Sequence, residues 1–233
     1  METALTLFRL LPWIDWVALS FYLAGWAGYA SFAKRRSTLR PSVLASTNRI
    51  RRQWMLQATH REVRVVDGVV IQNLSTSPSF FASTTILIIG GLLAVLGTGD
   101  KASELVTELP FAARTSVLVF DLKLVLLTAI FIYAFFRFTW SLRQYSFGAL
   151  LVGSAPPHDR IESDAEREQF ADRAGRVMGL AAESFNDGLR AYYFAFAAVA
   201  WFFSPWTFLA ATAGVLVILY RREFRSEVVE ALR

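Results

Sequence analysis

Asp15 and Lys123 stand inside long stretches that are otherwise almost free of charge. An ionised group in such a stretch costs roughly 2.5–3.5 kcal/mol on insertion into hydrocarbon, so each is a candidate for function before it is a candidate for packing. Both fall near the same end of their stretches, which makes an intramembrane ion pair between them geometrically available. The alternative is that they fix helix packing alone while the long side chain snorkels. Asp121 accompanies Lys123. Arg137, further along the same stretch, either anchors to a phosphate or a helix C-terminus or lines a permeation path. The run Gln72, Asn73, Ser75, Thr76, Ser77, Ser79, Ser83, Thr84 and Thr85 is the densest set of uncharged polar groups. Hydroxyls at that density line a wet path or bind anions, or else they bond back to carbonyls one turn earlier and to neighbouring helices.

Other chemistry is sparsely provided for. There is no cysteine, which removes disulfides, iron–sulfur clusters and thiolate metal sites. The two histidines, His60 and His158, are not at metal-ligand spacing, and no glycine-rich phosphate loop or nucleophile elbow occurs. The expectation is therefore a non-enzyme without cofactor or metal. The acids Glu162, Asp164, Glu166 and Glu168 read as a solvated helix face.

The elements that must position these residues follow from composition. Of 233 residues, 55 % are apolar and only 18 % charged, against about a quarter in ordinary soluble domains. Mean hydropathy is +0.40. The charges crowd into 34–64, 159–190 and 221–233, as a bilayer would impose. The expected architecture is all-α, a polytopic integral membrane helix bundle forming a single membrane domain. The net charge of +5 is explained by juxtamembrane arginines and lysines and anionic lipid rather than by nucleic acid. Apolar runs of bilayer length, about 20 residues, cover 10–32, 78–97, 117–140 and 188–220. The first carries Asp15 and bulky tryptophans and lacks a small-x-small cleavage site, so it is expected to be a retained helix rather than a leader.

The last run is long, and Ser204-Pro205 interrupts it, because proline removes a backbone donor and clashes with the preceding turn. Charge bias chooses between one kinked helix and a hairpin. Between Lys34 and Arg64 nine basic residues face one acid, which predicts a cytoplasmic connection. A hairpin then brings Arg221, Arg222 and Arg225 to the cytoplasmic side as well. The favoured reading has five membrane segments, 10–32, 78–97, 117–140 and a short hairpin of 188–203 and 206–220. The N-terminus is outside, the C-terminus cytoplasmic, and the location a bacterial inner membrane. Cytoplasmic segments are 33–77, 141–187 and 221–233; four spans remain the alternative.

Within the cytoplasmic segments, Val43, Ile50, Trp54 and Ala58 recur at helical spacing, which predicts an amphipathic helix on the headgroups. Arg49, Arg51 and Arg52 would there meet anionic lipid, and Arg64 would add to the attraction. Ser154-Ala155-Pro156-Pro157 predicts a loop. Phe170, Ala174, Val177 and Ala181 predict a second amphipathic helix, and Asn186-Asp187-Gly188 a turn re-entering the membrane. Ala24 with Gly28, Ala27 with Ser31, Gly90 with Gly91, and Ala210 with Gly214 permit close approach of helices and make a homo-oligomer plausible. Trp13, Trp140, Trp201 and Trp206 read as interfacial belt residues.

Several strings act together as a signature: Arg64-Val65-Val66-Asp67 with Asn73-Leu74 and Ser79-Phe80-Phe81-Ala82-Ser83-Thr84-Thr85; Phe136-Arg137-Phe138-Thr139-Trp140-Ser141-Leu142-Arg143-Gln144-Tyr145; and Gly188-Leu189-Arg190-Ala191-Tyr192-Tyr193-Phe194 with Arg222-Glu223-Phe224. They resemble the family catalogued as domain of unknown function 599, multi-span proteins of bacteria and plants. The resemblance implies no activity. It implies that Asp67, Asn73, Lys123, Arg137, Trp140, Arg143 and Arg190 occupy motif positions.

The expected function is a channel or transporter-like homo-oligomer in which Asn73, Ser83, Thr84, Arg137, Arg143 and Arg190 shape an anion-favouring cytoplasmic vestibule. The alternative is a non-catalytic scaffold or accessory subunit of a larger complex.

Overall fold

The computed structural model describes residues 11–37, 42–98, 116–161 and 163–232, and among these every regular element is helical. In chain order they are α1 (Trp13–Ser37), α2 (Val43–His60), α3 (Val65–Gly97), α4 (Val117–Gly153), a 3₁₀ turn (His158–Arg160), α5 (Asp164–Ala200), α6 (Pro205–Phe224) and α7 (Glu227–Ala231). The connection between the expected segments 78–97 and 117–140 lies almost wholly outside the described residues.

Cross-helix contacts fix the directions. α4 and α5 form the principal pair and run antiparallel, since the Lys123 ammonium reaches the Trp201 carbonyl at one end and Gly148 faces Met178 towards the other. α3 is antiparallel to α4, with Arg64 at the loop after α4 and Phe81 against Phe138. α1 and α6 run parallel to each other: Tyr22 meets Phe208, and Phe32 meets Tyr220 and Phe224. The start of α1, the start of α4 and the α5–α6 turn therefore share one end.

The largest core unites α1, α3, α4, α5 and α6 around Tyr22, Ile130, Phe138, Phe194, Trp201 and Phe208. A smaller one gathers Met55, Ile71, Tyr145, Phe170 and Met178 where α2, α3, α4 and α5 meet. Among the described residues two helices, α3 and α4, are long and apolar enough to cross a membrane by length and composition, where five segments were expected.

The hairpin expected at Ser204-Pro205 is present. Ser204 caps α6 by accepting from Thr207 N at 3.0 Å, and Pro205 occupies the first turn, where its missing N–H leaves nothing unsatisfied. The re-entrant turn at 186–188 is not. α5 is one 37-residue helix, about 55 Å at 1.5 Å per residue, that passes through Asn186-Asp187-Gly188 without a break. Two interactions outweigh the turn propensity of those residues: Asp187 pairs with Arg137 and Arg190, and the Phe138 ring covers Gly188. α3 begins at Val65 rather than 78 and carries Pro78 internally, so the polar run is helical throughout. The loop at 154–157 is as expected.

α2 packs antiparallel on α5, where Arg52, one of the arginines expected at headgroups, pairs with Glu168 and Asp172, at 2.5 Å to the latter. Glu168, expected to be solvated, is one of those partners. Arg51 Nη1 donates to Asn48 Oδ1 at 3.0 Å, Arg49 is exposed, and Ile50, expected to face lipid with Trp54, is exposed too. The close approach is made by Gly175 and Gly179: a Cβ on Gly175 would lie 2.9 Å from the Arg52 Cα. Arg64 and Arg167 pin the corner. Arg64 donates to the Ala58, Ala155 and Pro156 carbonyls at 3.1, 2.8 and 2.6 Å, and Arg167 to those of Thr59 and His158 at 2.7 and 2.9 Å.

Gly28, Gly90, Gly91 and Gly214, expected at close contacts, have nothing within 4 Å of a built Cβ. The intimate contacts are instead at Gly25, Gly148, Gly175, Gly179 and Gly188.

Candidate functional site

Arg137 on α4 and Arg190 on α5 converge on one carboxylate, that of Asp187, which lies one turn before Arg190. Arg137 contributes Nη2 to Asp187 Oδ2, and Arg190 contributes Nη2 to Asp187 Oδ1. The three side chains are between 22 % and 29 % exposed, enough burial for the charge-assisted contacts to outweigh those of a surface pair. Arg137 Nε is buried and has no acceptor.

This triad lines a cavity of about 410 Å³ formed by α1, the start of α2, α4, α5 and the end of α6. Glu183, one turn before Asp187, and Glu223 also face it. Glu223 Oε1 accepts from Leu44 N at 3.1 Å, which seats the N-terminus of α2 on α6. Burial pushes the Glu223 carboxyl above its ordinary value, against the opposing pull of the Leu44 N–H and Arg190. On the α4 wall the Gln144 amide donates to Ser184 Oγ at 2.7 Å and to the Leu180 carbonyl at 3.1 Å, while its oxygen accepts from Trp140 Nε1 at 3.2 Å; its orientation is assigned from these neighbours. A second, smaller cavity of about 90 Å³ lies across Asn186, Arg190 and Glu223 from the first.

Beyond the cavity, towards the end that holds the α5–α6 turn, an aromatic layer fills the bundle. Trp26 stacks on Phe194 at 5.6 Å, Tyr22 meets Phe194 edge-on, and Trp201 stacks on Phe208 at 5.1 Å. Tyr22 donates to the Phe194 carbonyl at 3.0 Å. Past this layer sit Asp15 and Lys123, and they do not form the direct ion pair that their positions suggest. Trp201 stands between them: its indole Nε1 donates to Asp15 Oδ1 at 2.5 Å, and its carbonyl accepts from Lys123 Nζ at 2.9 Å. Trp201 is therefore a buried hub, whereas Trp13, Trp140 and Trp206 are exposed as belt residues would be.

The six residues expected to share a vestibule separate into two groups. Arg137 and Arg190 meet in the cavity. Arg143 is exposed and lies over the Phe147 ring, and Asn73 and Ser83 are exposed on α3. Thr84 bonds back to the Phe80 carbonyl at 2.9 Å, and Ser75 and Thr76 to that of Gln72, the local alternative to a wet path. The cavity sets two arginines beside three carboxyl groups, those of Glu183, Asp187 and Glu223. Sequence reasoning missed Asp187, Glu183 and Glu223. The spacing of Asp187 and Arg190 at i and i+3 was the available signal, masked by the turn propensity of the tripeptide around it. Asp67, a motif position, is fully buried at the α2–α3 corner and accepts from Trp54 Nε1 at 2.7 Å and from Arg61. It pins that corner rather than contributing to the cavity. Among the described residues no group of three or more His, Cys, Asp or Glu could hold a metal.

The family model described as "Protein of unknown function, DUF599" matches residues 17–228, nearly the whole chain. The chain belongs to the DUF599 family. Nothing among the curated proteins or the solved structures matches it. The matched region of this DUF599 protein contains the cavity, the aromatic layer and Lys123; Asp15 lies just before it.

Proposed function

We propose that this DUF599 protein is a transporter-like homo-oligomer of a bacterial inner membrane. In this reading the segments 10–32, 78–97, 117–140, 188–203 and 206–220 cross the bilayer, with the N-terminus outside and the C-terminus cytoplasmic. The single observation carrying it is the asymmetric filling of the bundle. A charged cavity lies at one level, and a continuous aromatic layer seals the way to the opposite end, where Trp201 holds Asp15 and Lys123. A charged cavity backed by packed aromatic rings suits alternating access better than an open pore. The arginine-rich ends of α1, α2 and α6 fall on the cavity side, which by the positive-inside rule is cytoplasmic.

Self-association is supported by α3, whose most apolar window is only 11 % buried and whose Gly90 and Gly91 touch nothing. A second copy there would bury that face.

Reconstitution tests the transport reading. Liposomes holding the protein, challenged with chloride, phosphate and glycine, should show flux of at least one solute above empty vesicles. Arg137→Ala should abolish it, and Arg143→Ala, outside the cavity, should not. No flux above empty vesicles for any of them favours the scaffold reading, in which the charged α2–α5 face docks a partner.

A further inference from the structure

We infer that the Arg137–Asp187–Arg190 cavity binds a zwitterion, a small ligand carrying an ammonium and an oxyanion a few bonds apart. The inference deepens the proposal above, because it rests on the cavity being the ligand site; it does not require that the ligand be moved.

The argument is one of charge placement. A lone anion entering the cavity would compete with Asp187 for Arg137 and would also face Glu183 and Glu223. A lone cation would meet the carboxylates but lie against two guanidinium groups. A ligand with both charges satisfies both walls at once, with its oxyanion towards Arg137 and its ammonium towards Glu183. The groups are spaced for it. Glu183 and Asp187 are one turn apart on the same helix, roughly 5–6 Å between Cβ atoms, so the place of an ammonium at Glu183 and that of an oxyanion beside Asp187 are about a small zwitterion's length apart. An acceptor is also wanting: the buried Nε of Arg137 has none. Glu183 takes one long hydrogen bond, Asn48 Nδ2 donating to Oε1 at 3.4 Å, and has Arg51 nearby without a direct salt bridge, so its oxygens retain capacity for an ammonium. Ser184 and Gln144 add neutral polar atoms on the wall between. About 410 Å³ is ample for an amino acid or for a phosphoethanolamine headgroup, two sources of the same chemistry.

The test is calorimetric titration of the full chain in detergent with glycine and with O-phosphoethanolamine, with acetate and ethylammonium as singly charged controls. In parallel, thermal midpoints are compared in nanodiscs of phosphatidylethanolamine and of phosphatidylglycerol. The expected result is that a zwitterion binds at least about tenfold more tightly than either control, the worth of one charge-assisted contact. Saturation by the soluble probes identifies a free solute. Stabilisation by phosphatidylethanolamine discs alone identifies a lipid headgroup. Glu183→Gln, which keeps the Asn48 contact and the fold, should erase the preference over acetate. Acetate binding as tightly as glycine, a preference unchanged in Glu183→Gln, or no response to any zwitterion in either medium overturns the inference. Zwitterion binding without liposome flux sinks the transport reading alone. Anion flux without zwitterion binding sinks this one alone.

Discussion

The Phe138 ring occupies the space beside Gly188 so fully that a Cβ placed there would lie 2.4 Å from Cε1. Phe138 is completely buried and also meets Phe81, Phe185 and Tyr192, so it has no room to retreat. Gly188→Ala should therefore destabilise the protein by about 1–3 kcal/mol, the usual range for overpacking. Thermal unfolding in detergent measures it, and the cost should shrink in a Phe138→Leu background. An additive double variant would show that Gly188 does not act through Phe138.

Asp187 pairs with two arginines, so its loss removes a direct carboxylate contact from each. Asp187→Asn should cost about 1.5–3 kcal/mol, the range for hydrogen bonds to charged groups. In an Arg137→Gln background the cost should fall, since one of the two contacts is already gone. Equal costs in the two backgrounds, read from denaturation midpoints, would contradict the shared contact.

Trp201→Phe keeps the ring stacked on Phe208 but removes the N–H that satisfies Asp15, itself 5 % exposed. A buried acceptor left unpaired costs about 1–3 kcal/mol, more for a charged one. Asp15→Asn should therefore be markedly less harmful in Trp201→Phe than in the native chain. Lys123 keeps its bond to the Trp201 backbone carbonyl in that variant and loses only part of its contact with the ring, whose centroid lies 5.4 Å from the ammonium. A direct ion pair predicts the reverse, with Asp15 coupled to Lys123 and indifferent to the indole.

Glu223 gives a pH dependence with a defined sign. Its folded-state carboxyl titrates above the ordinary value of 4.5, so the folded protein holds that proton more tightly than the unfolded chain does. Its contribution is fully present below the unfolded value and is lost as pH rises through the raised one. Measured from pH 4 upwards, native stability relative to Glu223→Gln should decline above the ordinary carboxyl range. A flat difference would mean that Glu223 titrates normally.

Gly175→Val should detach α2, because the obstacle is backbone, the Arg52 Cα at 2.9 Å, rather than a pliant side chain. Limited trypsin digestion should then cut faster at Arg49, Arg51 and Arg52. Glu168→Gln with Asp172→Asn should change little, since these pairs are largely exposed and screened by solvent.

These positions also mark how far the sequence could be read. The all-helical character, the break at Ser204-Pro205 and the loop at 154–157 were legible because proline and apolar run length act locally. The continuity of α5 was not, because it depends on Arg137 and Phe138 from another helix overriding the turn propensity of Asn186-Asp187-Gly188. Arg137 and Arg190 could be singled out as costly charges, but the carboxylates that answer them only become neighbours when α4, α5 and α6 assemble. The Asp15 and Lys123 expectation located the right end of the bundle and omitted the intermediary, since nothing in a tryptophan's position says that its ring and its carbonyl will serve two partners.

The unbroken α5 has a mechanical consequence. It carries Asp172 against α2 near its start, Asp187 in the cavity and Ala200 beside the Trp201 hub at its end, with no joint between. One continuous ladder of backbone hydrogen bonds therefore links the α2 contact, the cavity and the tryptophan hub, so the three are placed relative to one another by a single element rather than by loops.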